Sequence, residues 1–204
     1  MNQKLTNQFG INIGAAILAG GKSTRFNGQN KALINVLGGS ILDRNIITLQ
    51  SIFKEIHIIS NSNADFIYTG IPVFKDIFEN KGPLGGIYSA LLHSGCEAVF
   101  IFSCDMPFLS KNLIKNIIIN FTKSNSQIII PQIFHKIEPL HAIYSTSILP
   151  ILENYIKSAV DYKIRLFFPK VSTSYLALDN SQENQKAFLN INSPDDLSSI
   201  ASFF

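Results

Sequence analysis

The segment Leu18-Ala19-Gly20-Gly21-Lys22-Ser23-Thr24-Arg25, with Lys31 further on, combines the residue types that hold an anion. Glycines at the end of a strand let main-chain N–H groups approach a ligand with no Cβ between them. Successive amides in such a turn form an anion-binding concavity. Arg25 and Lys31 add positive charge against phosphate oxygens. The competing reading is a tight turn with solvated basic residues. Two familiar phosphate loops are excluded. Gly21-Lys22-Ser23 imitates the end of a P-loop, but the first glycine of that loop would fall on Ala16. The adjacent glycines also break the spacing of the dinucleotide fingerprint.

Asp105 is the second candidate. It follows an apolar run and precedes Met106-Pro107. Mg²⁺ binds through one or two carboxylates plus substrate phosphates, so a single well-placed Asp suffices as its protein ligand. Taken alone, Asp105 is equally a turn or capping residue; beside the glycine loop it reads as a metal ligand. The histidines offer less. His57 in an apolar stretch and His93 at a helix end read as structural. His135 and His141 flank Glu138-Pro139-Leu140 without the spacing of a metal triad. There is no nucleophile elbow and no Ser/His/Asp order, so covalent catalysis is not indicated.

These residues need elements to position them. Residues 11–18 read as a buried strand ending at Gly20-Gly21. A helix is expected over 41–53, where Leu42, Ile46, Leu49 and Phe53 share a face. A second strand covers 55–60, and a weaker extended piece covers 71–74. Gly82-Pro83-Leu84-Gly85-Gly86 is a turn signal before a helix over 87–93. The most apolar strand spans 98–103, and Ser110 caps a helix that runs to Phe121. Residues 127–131 resemble another strand, and Ser193-Pro194-Asp195-Asp196 opens a C-terminal helix. Residues 1–10 read as a flexible tail.

Strands separated by helices imply right-handed βαβ crossovers and an α/β fold with a mostly parallel central sheet. Ligands in such sheets bind outside the carboxyl ends of the strands. That rule gathers Gly20-Gly21, Asn61 and Asp105 on one rim, within reach of the loops at Asp76 and 82–86.

Composition narrows the class. A chain of 204 residues with 46% hydrophobic and 15% charged residues folds as a globule. The net charge of +3 is scattered, unlike the clustered basic face of a nucleic-acid binder. Cys96 and Cys104 flank the apolar run and read as buried thiols rather than a disulfide or metal site. The apolar stretch over 11–19 is too short to span a bilayer and lacks a cleavage context, which leaves the cytoplasm as the expected compartment.

Taken in order, these segments resemble the molybdenum cofactor guanylyltransferases, over nearly the whole chain. The likeness rests on Leu18 to Arg25, Lys31-Ala32-Leu33, Asn61, Asp76, and Gly82-Pro83-Leu84-Gly85-Gly86-Ile87. It continues through Cys104-Asp105-Met106-Pro107-Phe108, Glu138-Pro139-Leu140, and Phe188-Leu189-Asn190-Ile191-Asn192-Ser193-Pro194. The Gly20-Gly21 pair and the Gly-Pro-Leu-Gly-Gly loop look like the guanylyl branch, since the related cytidylyl enzymes tend to carry Leu-Ala-Ala-Gly at the first position.

The resemblance implies a single domain with a three-layer, Rossmann-like nucleotidyltransferase fold. It implies transfer of GMP from GTP to the terminal phosphate of molybdopterin, with release of pyrophosphate and with Mg²⁺ as cofactor. Leu18, Ala19, Gly20, Gly21, Asn61, Asp76, Gly82, Pro83 and Leu84 would contact the nucleotide, Asn61 and Asp76 holding its guanosine. Lys31 and Arg25 would act on the phosphates, Asp105 would bind the metal, and Asn190 and Asn192 would lie near the pterin. Partners would be GTP, the molybdopterin cofactor, and insertion proteins or apo-molybdoenzymes that take the product. Nucleic acid and membrane are not expected, and the enzyme would be a monomer. The sequence departs from the family at Phe26-Asn27, where Met-Gly is usual, at Asn30, where Asp commonly precedes the lysine, and at Glu138, where Gln or a neutral residue is frequent. Rival readings are the same fold with CTP or a sugar-phosphate acceptor, and a non-catalytic nucleotide binder.

Overall fold

The computed structural model describes residues 10–20, 33–36, 39–193 and 196, with no side-chain description for Asn35 and Val36. The expected tail, Gly21 to Arg25, Phe26-Asn27, Asn30, Lys31 and the helix expected from Ser193 onward fall outside these residues, apart from Ser193 and Asp196 themselves.

In chain order the strands are β1 (Ile13–Leu18), β2 (Asn35–Val36), β3 (Gly39–Ser40), β4 (Ile56–Ile59), β5 (Val73–Phe74), β6 (Ala98–Ser103), β7 (Ile128–Ile133), β8 (Lys136–Ile137), β9 (His141–Ser145) and β10 (Thr173–Leu178). The helices are α1 (Ile41–Gln50), α2 (Pro83–His93), α3 (Lys111–Lys123), α4 (Leu149–Ser158) and α5 (Gln182–Ala187). The main sheet runs β10-β7-β9-β6-β1-β4-β5, with β8 paired to β7. β1 pairs in parallel with β4 and β6, β4 with β5, and β7 with β10. β9 runs antiparallel between β6 and β7. The sheet is therefore mostly parallel, as expected, with β9 and the two-residue β8 reversed.

All six residues of β1 are buried, because helices cover both faces of a central parallel strand. On one face lie the apolar stripes of α1 (Leu42, Ile46, Leu49), α3 (Leu113, Ile114, Ile117, Ile118, Phe121) and Ala187 of α5. On the other lie α2 (Leu84, Ile87, Tyr88, Ala90, Leu91) and α4 (Leu152, Ile156). This is a three-layer α/β arrangement.

Local chemistry sets the helix ends. Ser40 Oγ accepts the Asp43 N–H at 3.0 Å and Ser110 Oγ accepts the Leu113 N–H at 3.1 Å, so both helices start at a hydroxyl cap. α1 ends at Gln50, short of Phe53, yet Phe53 stays fully buried and its N–H bonds Leu49 O at 2.8 Å. The expected turn over 82–86 is in fact the entry to α2. The helix begins at Pro83 rather than Ile87, since proline at the first helical position lacks a donor the helix cannot use there. β9, α4, β10 and α5 are additional elements that the hydrophobic patterning did not announce.

Candidate active site

The carboxyl ends of β1, β4, β5 and β6 lie side by side and carry the candidate residues. Ala19 N donates to Ile59 O at 3.0 Å, and Ser60 N to Phe74 O at 2.9 Å, so the chain beyond each strand stays in register. Asn61 and Asp76 meet at that rim: the Asp76 N–H donates to Asn61 Oδ1 at 3.1 Å. A methyl group added to Gly20 would stand 3.8 Å from Asp76 Oδ2. One added to Gly86 would stand 3.7 Å from Asp76 Oδ1 and 3.2 Å and 3.3 Å from the Leu18 methyls. Leu18, Gly20, Asn61, Asp76 and Gly86 are thus one cluster drawn from four chain segments.

α2 is locked to this cluster through Ser89, whose buried hydroxyl donates to Gly85 O and accepts the Ile77 N–H, both at 2.9 Å. A Cβ on Gly85 would sit 2.4 Å from Phe78 O, so only glycine lets the loop lie this close to the helix. Gly82 and Pro83 are exposed at the helix entry, whereas the Leu84 side chain is 1% exposed and packs in the core. Burial raises the Asp76 carboxyl above the ordinary carboxylate range; the charge of Glu79 adds to this and the Ser89 hydroxyl opposes it. Asp76 Oδ1 is buried with no hydrogen-bond partner among the described residues.

One strand over, Asp105 follows β6. The Ser103 hydroxyl donates to Asp105 Oδ1 at 2.6 Å, which orients the carboxylate. The Asp105 carbonyl accepts the Ile191 N–H at 2.8 Å, and buried Asn45 donates its Nδ2–H to Met106 O at 3.1 Å. The peptide carrying Asp105 is therefore held from both sides. The Ile191 bond also draws Asn190 to this loop, where Asn190 Oδ1 is buried with no hydrogen-bond partner among the described residues. Asn192 is exposed, and its N–H donates to Asp196 Oδ2 at 2.7 Å.

The sequence-derived residues divide plainly. Leu18, Gly20, Asn61 and Asp76 come together, Ala19 bridges β1 and β4 through its main chain, and Asp105 and Asn190 share the neighbouring loop. Gly21, Arg25 and Lys31 lie outside the described residues. Sequence reasoning missed Asn45, Ser89 and Ser103. Asn45 had a signal, as a polar residue within the apolar stripe of α1; the two serines had none. His57 is structural as read: Nε2 bonds Ala90 O at 3.0 Å, and burial lowers its pKa against that bond and the nearby Glu55. Both cysteines are buried, and burial pushes the Cys96 thiol up to about 11. Among the described residues no group of three or more His, Cys, Asp or Glu is placed to hold a metal.

Comparison with known proteins gives consistent results. Residues 15–170 match the model of the MobA-like NTP transferase domain. The chain is 36% identical over 190 residues to a probable molybdenum cofactor guanylyltransferase of Clostridium perfringens, covering 91% of this chain and 94% of that one. It is 30% identical to the molybdenum cofactor guanylyltransferase of Vibrio vulnificus, over 89% and 91% of the two chains. Among solved structures, molybdopterin-guanine dinucleotide biosynthesis protein A from Archaeoglobus fulgidus superposes with a TM-score of 0.78 over 93% of this chain and 99% of that one, at 24% identity.

Proposed function

The chain belongs to the MobA-like NTP transferase family, and from that premise we propose that it moves GMP from GTP to the phosphate of molybdopterin, releasing pyrophosphate. The observation that carries this reading is the meeting of Leu18, Gly20, Asn61 and Asp76 at the strand ends, with Asp105 on the adjoining strand. A nucleotide lying along this rim has its nucleoside against β4 and β5, its α-phosphate toward β6 and its pyrophosphate beside Gly20 at the end of β1.

Asp76 brings a buried carboxylate oxygen with no hydrogen-bond partner among the described residues, an acceptor that suits ribose or base donors. Asn61 fixes the Asp76 main chain rather than competing for that oxygen. The amino end of α2 presents its positive dipole end beside the same cluster. In the transfer, an oxygen of the acceptor phosphate forms a bond to the α-phosphorus while the bond from that phosphorus to the β-phosphate's bridging oxygen breaks. A phosphate monoester is largely dianionic near neutral pH, so it needs no protein base. The protein's work is then alignment and charge stabilisation. Lys31 and Arg25 are assigned to the phosphates, and Asn190 and Asn192 to the acceptor side.

The Asp105 carboxylate offers the oxygen donor that Mg²⁺, a hard cation, takes, and the segment bearing Asn190, whose Oδ1 is buried without a partner among the described residues, is tied to it through the Ile191 N–H. Bound there, Mg²⁺ supplies positive charge against the phosphate oxygens. No helix among the described residues is long and apolar enough to cross a membrane. We assign the protein to the cytoplasm as a monomer that passes its product to molybdenum cofactor insertion proteins or apo-molybdoenzymes.

The test is pyrophosphate release with GTP, Mg²⁺ and molybdopterin, with CTP and a sugar phosphate as substitutes. Release that requires GTP and molybdopterin together, and is abolished by Asp105→Ala, is the expected result. Preference for CTP or a sugar phosphate rejects the substrate assignment, and GTP binding without any release rejects the enzymatic one.

A further inference from the structure

Asp105 divides the rim. The nucleoside residues lie on the β1-β4-β5 side, while β9 and β7 lie on the other. In-line displacement at the α-phosphorus needs the attacking oxygen opposite the leaving pyrophosphate; with the pyrophosphate beside Gly20 at the end of β1, the β9-β7 side is where the acceptor enters.

That side carries one ion pair that the nucleotide site does not use. Lys136 Nζ stands 2.8 Å from Glu138 Oε1; the lysine side chain is 66% exposed and the glutamate side chain 9%. One contact leaves most of the three donors of this exposed ammonium available to another group. Glu138 is well anchored: its N–H donates to Pro131 O and its carbonyl accepts the His141 N–H, both at 3.1 Å. Its distance from the reaction centre follows from register. Phe102 pairs with His141, and Ser103 N donates to Leu140 O at 3.0 Å, so the chain over 138–140 continues alongside the turn that bears Asp105. Lys136 lies on β8, which pairs with β7 on the edge facing β9, since β10 takes the other edge over the same residues; β8 therefore continues the line of β9, the strand next to β6.

Resting on the function proposed above, we propose that Lys136 is a contact for the acceptor's phosphate and that Glu138 is a positioning residue that aims it. A buried carboxylate next to an anionic substrate would repel it; one already paired with an exposed ammonium instead holds a cation at the site's edge. The lysine can pass two of its three donors to phosphate oxygens while remaining beside the glutamate. The same pair explains why a glutamate is tolerated where an anionic acceptor arrives.

Steady-state kinetics with GTP and molybdopterin, each varied separately, test this. Lys136→Ala is expected to raise the acceptor KM by about tenfold to a hundredfold, the loss of a charge-assisted contact, with the GTP KM within twofold of wild type. Lys136→Arg should recover most of the loss. Glu138→Gln, which keeps the shape and removes the charge, should raise the acceptor KM by less than Lys136→Ala and leave the GTP KM unchanged. Thermal midpoints of the three variants, together with calorimetric titration of molybdopterin without GTP, separate a binding defect from a folding one. An unchanged acceptor KM in Lys136→Ala, or an equal rise in both KM values, overturns the inference while leaving the parent reading intact. A wild-type protein that releases no pyrophosphate with molybdopterin overturns both.

Discussion

His141 is fully buried on β9, caged edge-on by Phe100, Phe102 and Phe188 with ring centroids 5.2–5.9 Å away, and neither ring nitrogen has a partner among the described residues. Burial pushes its pKa down from the ordinary 6.5 to about 3, so the folded protein keeps it neutral. Between those values the unfolded chain binds a proton that the folded chain does not, and stability must rise with pH. Above pH 6.5 the residue imposes no titration penalty. Below it, each pH unit costs about 1.4 kcal/mol until the folded pKa is reached. From pH 7.5 to pH 4.5 the loss is therefore about 2.7 kcal/mol. His57, also lowered by burial, acts in the same direction. His141→Leu isolates the first contribution, because subtracting the variant's curve from the wild type's cancels groups common to both. Urea unfolding at pH 4.5, 5.5, 6.5 and 7.5 measures it. The gap should widen by about 2–3 kcal/mol toward acid in favour of the variant, which also sheds a buried unpartnered polar group. Parallel curves would refute the argument: the imidazole would then have access to water or to a partner.

Three further outcomes follow from the geometry. Gly85→Ala drives a Cβ against the Phe78 carbonyl, which is backbone and cannot swing away; overpacking of about 1–3 kcal/mol should lower the melting temperature by several degrees in calorimetry. Asp76→Ala should raise the GTP KM about tenfold or more, the worth of a hydrogen bond to a charged group, with the acceptor KM unchanged in the same assay. Ser110→Ala removes both the cap on Leu113 and the 2.7 Å bond to Glu183, and should cost about 1–2 kcal/mol in urea unfolding.

The central strands were legible because burial on both faces demands continuous apolar residues, and Ala98 to Ser103 was bounded to the residue. The rim followed from one topological rule, and with it the convergence of Gly20, Asn61, Asp76 and Asp105. Other parts left weaker traces. β10 alternates half-buried and exposed residues at the sheet edge, so Thr173 to Leu178 carries no apolar run. β9 is antiparallel because the two-residue turn at Phe134 and His135 reverses the chain after β7, so that β8 and β9 both run back along it, a fact of connection length rather than of residue type. The bracing of the site by Asn45, Ser89 and Ser103 depends on contacts between residues that composition and periodicity cannot pair. Lys136 and Glu138 illustrate the same limit, since Glu138 stood out in the sequence only as a departure from the family pattern, and the ion pair shows the cation beside it.

The account turns on a nucleotide lying along the carboxyl ends of β1, β4, β5 and β6 with its cation at Asp105. A crystal structure with a non-hydrolysable GTP analogue and Mn²⁺, located by anomalous scattering, tests that directly. The account predicts a manganese peak about 2.1 Å from an Asp105 carboxylate oxygen, with guanosine against Asn61 and Asp76. Manganese away from Asp105, or the nucleoside seated on the β7-β10 side, would contradict it.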